Sequence, residues 1–396
     1  MPSNESVSRT VKKNRKAERT RRIIWAIIVL VAAILVVLKV WEVDFNSIRR
    51  NISGKGGVVA SVADNVYPLS LDSSKNVKIV PQNDKLTVLT NSSCTVLNPT
   101  TGQKDSTIIH GYSNPIMKTA GSYICIFDQG ATRYRLDNLH ESIYEESLES
   151  PVLTADVAKN GTVIYAVQGI ESKSQLIVVN KGLKKLIDLK VNSGYIVSVA
   201  IDASGKRCAF ATVNSKNAKL ITTINTINIG DKKERASMEI EGSDLLEMKY
   251  CSSDLFLICN DRVSRVTNQK KLKDVFKKGE VNTCCYNYTG GGELVYVYSK
   301  YSSANENYLT YINANGRVKT TVEISQRPKY VSSSSNEMTV LFTDKIVSYS
   351  LTNGEEKGSV RVDDSVSIVH KLSTKCFICR HQLIDVTELK MKEKEK

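Results

Sequence analysis

Cysteine and histidine carry the most versatile side-chain chemistry, and this chain has nine of the first and four of the second. Cys376 and Cys379 lie three apart with His381 just beyond, the spacing of half a zinc or redox motif. The surrounding segment, Lys375-Cys376-Phe377-Ile378-Cys379-Arg380, reads as an apolar strand. Residues i and i+3 of a strand point to opposite faces, so the two sulfurs are expected to diverge and to pack in cores. No second Cys-x-x-Cys exists. Cys125, Cys208 and Cys259 also fall in apolar runs, where a free thiol behaves as a small hydrophobe. Cys284 and Cys285 are adjacent and are expected to alternate faces. An odd number of cysteines cannot all pair, which suits a bacterial, low-oxygen setting better than an oxidising secretory one.

A hydrolase needs a nucleophile beside a base. Gly111-Tyr112-Ser113-Asn114-Pro115 is the nearest approach to a nucleophile elbow, and its proline breaks the pattern. His110, His140, His370 and His381 are scattered over turn and strand positions and read as surface or structural residues. No His-Glu-x-x-His, Walker loop or Asp-x-Asp-x-Asp calcium loop occurs. Gly290-Gly291-Gly292 precedes a strand and no helix follows to present a phosphate site. The expectation is therefore no catalytic residue, no metal and no cofactor.

Binding chemistry has more to work with. Glu145 and Glu146 belong to an acidic segment with Asp137, Glu141 and Glu149. Lys277 and Lys278 end a basic one that begins at Lys270. Tyr301 and Tyr308 bracket a polar loop in a tyrosine-rich stretch and are candidates for stacking on sugars. These six residues are the expected ligand contacts. Solvated edges and cross-strand packing are the plainer readings of the same residues.

The net charge of +14 is unevenly spread. Residues 1–41 contain nine basic and two acidic side chains, half the surplus in a tenth of the chain. A basic chain can signal nucleic-acid binding. Here the basic run abuts residues 23–38, IIWAIIVLVAAILVVL, which opens at Ile23, closes at Leu38 and carries no charge. If Lys39 snorkels to the head groups, the span reaches Trp41, and 19 helical residues cover about 28 Å, close to a bilayer core. Trp25 and Trp41 stand near its two ends like an aromatic belt. No small-x-small site follows the run, which favours an uncleaved anchor over a cleaved signal peptide. The positive-inside rule puts residues 1–22 in the cytoplasm as a basic tail and the rest outside. Membrane lipid is then a partner and nucleic acid is not.

Residues 42–57 read as a linker, rich in glycine at its end. Beyond it, short runs of Val, Ile, Tyr, Thr and Leu are broken by Asn, Gly, Asp and Ser, with no long stretch of helical period. A unit of three recognisable strands recurs from Asn76, Asn114, Pro151, Tyr195, Leu245, Val281, Pro328 and Ser367. The mean interval is about 42 residues, the size of a four-stranded propeller blade. The spacing predicts an all-β fold over residues 58–390. It is a β-propeller of seven to eight four-stranded blades, eight favoured, after one N-terminal transmembrane helix. A two-sheet sandwich would not require eight recurrences. The last unit lacks a fourth strand before the charged tail at 391–396, and residues 58–71 are expected to supply it and close the ring.

Asp202-Ala203-Ser204-Gly205-Lys206 resembles the Asp-x-x-Gly-Lys turn of many propeller blades, and Ala155-Asp156 through Asn160-Gly161 is a looser copy. With the blade-sized repeat, the chain resembles the WD40-like and quinoprotein-like propeller superfamily. It also resembles uncharacterised single-pass, propeller-bearing membrane proteins of Gram-positive bacteria. It departs from the named subfamilies, because residues 42–396 contain no Trp and so neither Trp-docking turns nor Trp-Asp blade ends. The resemblance implies a non-catalytic, membrane-anchored scaffold outside the cytoplasm that binds an envelope protein or a cell-wall polymer. A propeller enzyme of glycan lyase or quinoprotein type, and a single-pass sensor, are the alternatives.

Overall fold

The computed structural model describes residues 66–391, apart from 74, 232, 301–302 and 335 and the side chains of 233–235 and 303–305. The expected membrane span with Ile23, Trp25, Leu38, Lys39 and Trp41, the basic tail, the linker and Tyr301 lie outside the described residues. Among the described residues the regular elements are strands, and no helix is long and apolar enough to cross a membrane.

The strands form eight antiparallel sheets in chain order. Each sheet is a blade whose first strand is the inner one. These inner strands are Lys78–Gln82, Pro115–Ala120, Val152–Val157, Tyr195–Ile201, Leu245–Cys251, Val281–Tyr288, Tyr330–Ser334 and Val366–Leu372, in blades one to eight. They begin within two residues of the recurrences seen in the sequence. Tight turns set the registers. Asn217 and Ala218, at φ 52° and 60°, join Arg207–Lys216 to Lys219–Asn228 in the twist that suits a two-residue hairpin. At the Asp202 turn, Oδ1 accepts the N–H groups of Lys206 (2.8 Å) and Arg207 (2.9 Å), and Gly205 takes φ +67°. A Cβ on Gly205 would meet the Asn160 amide nitrogen at 2.6 Å, so glycine is what lets the turns of blades three and four interlock.

Alternating side chains on the middle strands send apolar groups to both faces of each blade, so the core lies between blades. Cys125, Phe127, Tyr134, Val163 and Tyr165 fill the gap between blades two and three, and Ile164, Leu176, Phe210 and Ile227 the next. A cluster of Ile79, Leu86, Phe377 and Ile384 joins blade eight to blade one and closes the ring.

Closure uses the N-terminal strand, as expected, and residues 66–71 are the described part of the predicted segment. Leu69–Ser70 pairs with Ile384 and Leu383 as the fourth strand of blade eight, and the Leu71 N–H donates to the Gln382 carbonyl at 2.7 Å. Tyr67 packs edge-on against Phe377 and donates its hydroxyl to the Pro99 carbonyl of blade one at 3.0 Å. The C-terminus departs from expectation. Lys390–Met391 crosses to blade seven and pairs with Ser359 and Gly358 as a fifth strand. A Cβ on Gly358 would stand 2.7 Å from the Lys390 carbonyl oxygen, so glycine leaves room for this strand. A stretch read only as a charged tail pairs because the outer edge of blade seven offers free N–H and C=O groups.

Candidate functional site

Each inner strand pairs on one side only, so its other edge presents unpaired backbone groups to the axis. Polar side chains of neighbouring blades satisfy many of them. Lys78 Nζ donates to the Met117 carbonyl at 3.0 Å, and Asp156 Oδ2 accepts from the Ile201 N–H at 3.1 Å. Asn287 Nδ2 donates to the Val331 carbonyl at 3.1 Å. His370 Nε2 meets the Tyr330 hydroxyl at 3.1 Å, and its ring also bonds the backbone of Ile79.

Five charged groups gather among these. Lys118 Nζ binds Glu247 Oε1 at 3.1 Å. The two come from blades two and five, three places apart in the ring, so the pair crosses the axis. Lys249 Nζ lies 4.3 Å over the Tyr288 ring, and Asp156 of blade three also acts on Lys118. Lys78 is exposed and the Lys118 and Glu247 side chains keep 30% and 23% of their surface, so solvent reaches the cluster inside the ring.

Although Lys78 keeps contact with solvent, the protein packed around it inside the ring disfavours its charge and pushes the ammonium down to about 8, and the like charge of Lys118 adds to it. Burial also opposes the charge on Lys118, but Glu247 and Asp156 outweigh it and raise the ammonium. Burial would raise Glu247, yet Lys118 and Lys249 hold it below the usual range. Asp156 is raised by burial against the pull of Lys118 and two backbone N–H groups. The Tyr288 hydroxyl is buried, has no hydrogen-bond partner and is raised well above 10 by burial.

The surface candidates fare differently. Glu145 accepts from Arg135 Nη1 at 3.2 Å and from the Tyr112 hydroxyl at 3.1 Å. Arg135 is buried and doubly bonded to Asp137 at 2.7 and 2.8 Å, so Glu145, itself exposed, is held as the outer partner of a buried ion pair. Glu146 is half-buried on the same strand, Ser142–Ser147. Lys277 and Lys278 are exposed in the turn after Lys271–Phe276, and Lys278 Nζ donates to the Glu241 carbonyl at 2.9 Å. Phe276 packs on Tyr298 (5.0 Å), which stacks on Tyr308 (5.4 Å, 23°). The Tyr308 ring also carries Lys300 at 4.9 Å, and its hydroxyl donates to Glu306 at 3.0 Å. The structure therefore brings Lys277, Lys278 and Tyr308 to one ledge on blades five and six and leaves Glu145 and Glu146 on blade two. Tyr308 is packed on by Tyr298 and Lys300, which does not suit the expected stacking on a sugar.

Cys376 packs between blades seven and eight and Cys379 between blades eight and one, so the sulfurs diverge as expected. Burial pushes the Cys376 thiol up to about 12. The expected alternation of Cys284 and Cys285 is wrong. A bulge between Thr283 and Cys285 breaks the two-residue period, and both pack against the core shared by blades six and seven. Among the described residues no group of three His, Cys, Asp or Glu is placed to hold a metal ion. Sequence reasoning missed the axial cluster. Its only trace is a charged residue at Lys118, Asp156, Glu247 and Lys249, each inside an otherwise apolar inner strand.

Eight blades closed by an N-terminal strand define an eight-bladed β-propeller. Residues 65–389 match the family of unknown function DUF5711, and the chain belongs to it. Several solved propellers are similar in fold. The computationally designed Ika8 protein has a TM-score of 0.57 at 11% identity, over 81% of this chain and 98% of that one. The C-terminal WD40 domain of Sif2 gives 0.55 at 11%, over 82% and 97%. Sqt1 of Saccharomyces cerevisiae gives 0.54 at 9%, over 82% and 98%. No curated protein matches the chain.

Proposed function

We propose that this protein is a non-catalytic binding module, a propeller held outside the cytoplasm of a bacterial cell by residues 23–41, that engages an anionic envelope polymer. The observation that carries the reading is the basic rim of blade five. Lys270, Lys271, Lys273, Lys277 and Lys278 are all exposed on or beside its outer strand. Lysines on an edge strand also blunt strand pairing, but five on one rim make a positive field suited to a polyanion. The anchor rests on the charge-free run and the basic residues before it. The non-catalytic reading is supported by the state of the best nucleophiles and bases. Burial raises the thiols of Cys94, Cys125, Cys208, Cys251, Cys259, Cys285 and Cys376 and lowers His370 to about 4.

Crosslinking in intact cells tests the binding surface. The native chain should crosslink to cell-wall polymer, and a variant with the five lysines changed to Gln should lose at least tenfold of that yield at unchanged abundance. Equal yields would remove the rim from the binding surface. A dominant cytoplasmic crosslink through residues 1–22 would point to a sensor instead.

A further inference from the structure

We propose that the propeller axis binds a small organic monocarboxylate, its carboxylate held among Lys78, Lys118 and Lys249 and its short apolar body against Val197 and Leu246. This site is independent of the membrane placement and of the basic rim.

The charge balance at the axis is the first argument. Three ammonium groups face two carboxylates. Glu247 is engaged by Lys118 at 3.1 Å. Asp156 accepts the backbone N–H groups of Ile201 (3.1 Å) and Val157 (2.9 Å). Lys78 donates to a carbonyl and Lys249 rests on an aromatic face, and among the described residues neither forms a salt bridge. One positive charge is thus uncompensated inside a ring of protein, where the effective dielectric is well below that of water. A monoanion cancels it, whereas a dianion would leave an excess negative charge. The Tyr288 hydroxyl, buried without a partner and within the field of Glu247 and Asp156, is a free donor at the same cluster.

The second argument is the apolar surface next to the charges. The inner strands of blades four and five each carry a bulge near their start, between Ile196 and Ser198 and between Leu245 and Glu247. The residues skipped by the two bulges, Val197 and Leu246, are 46% and 50% exposed. Leu246 directly precedes Glu247, so the apolar surface adjoins the cross-axis ion pair. A ligand with a charged head and a few methylenes matches both features. The depressed Lys78 ammonium fits a cation waiting for an anion.

Calorimetric titration of the full-length protein in lipid nanodiscs at pH 7 tests the site, with butyrate, acetate and inorganic phosphate as probes. Butyrate should bind saturably and roughly tenfold more tightly than acetate, from two more buried methylenes. Phosphate should bind more weakly than butyrate. Lys78→Gln and Lys249→Gln should each weaken butyrate at least tenfold, and Lys104→Gln, an exposed outer-strand change, should have no effect. Tyr288→Phe removes a hydroxyl that has no partner, so the fold should persist while butyrate affinity falls several-fold. That variant decides the matter if a lysine variant does not fold. No saturation up to about 100 mM would overturn the proposal. So would phosphate binding more tightly than butyrate, acetate binding as tightly as butyrate, or unchanged affinity in Tyr288→Phe.

Discussion

His370 shows how a residue that looks available for chemistry becomes structural. It is 5% exposed, between the Tyr330 hydroxyl and the Ile79 backbone, and burial lowers it to about 4. A neutral imidazole in the folded state must take up a proton more readily once unfolded, where its value returns to about 6.5. The unfolded state therefore binds more protons between these values, and stability falls as pH drops from about 6.5 towards 4. The full loss from this one group is on the order of 3 kcal/mol. Denaturant titrations at pH 7 and pH 4.5 should show this acid loss in the native chain and a much smaller one in His370→Gln. An equal acid loss in both would place the sensitivity elsewhere. The sequence placed this histidine in an apolar strand and read it as structural. It could not supply Tyr330, which is 40 residues away and meets it only because blades seven and eight are neighbours.

The element that decides whether the ring is one body is the short strand Leu69–Ser70. Its two paired residues, with Tyr67 and Leu71, seal blade eight against blade one. Without them the third strand of blade eight, Leu383–Glu388, becomes an open edge and the closing core loses Tyr67, Leu69 and Leu71. A fully buried apolar side chain is worth about 1.5–3 kcal/mol and these three are half-buried, so the loss is a few kcal/mol in one place. A soluble chain beginning at Asp72 should melt about 5–15 °C below one beginning at Gly54. Equal midpoints would show that the strand does not hold the ring. The need for this strand was legible, because the last repeat turns charged after its third strand. Its short length was not: pairing stops at Leu69, although the partner strand runs on to Glu388, because Pro68 has no N–H to continue the ladder. Lys390–Met391 was not legible either, since nothing in a lysine-rich tail names the free edge of another blade.

At the scale of the whole molecule, charge and hydropathy divide the sequence into two unlike parts. Residues 1–41 hold half the net charge and the one long run that is apolar throughout. A reporter that is active only outside the cytoplasm, fused after Lys396, should be active in cells, and a cytoplasm-only reporter at the same place silent. The opposite pattern would remove the anchor reading. The sequence by itself determined what depends on local order. The strand period, the turn residues and a repeat of about 42 residues dictate blades, and the count of repeats favours eight of them over seven. The opposite facing of Cys376 and Cys379 follows from the same two-residue period. Only the tertiary structure decided what depends on closure. It brought Lys78, Lys118, Asp156, Glu247 and Lys249, spread over more than 170 residues, to one axis. It also set Cys284 and Cys285 against the same core. The physical reason is that these contacts join different blades or arise from bulges. Periodicity within one strand carries no information about which blade stands opposite, or where an extra residue shifts the register.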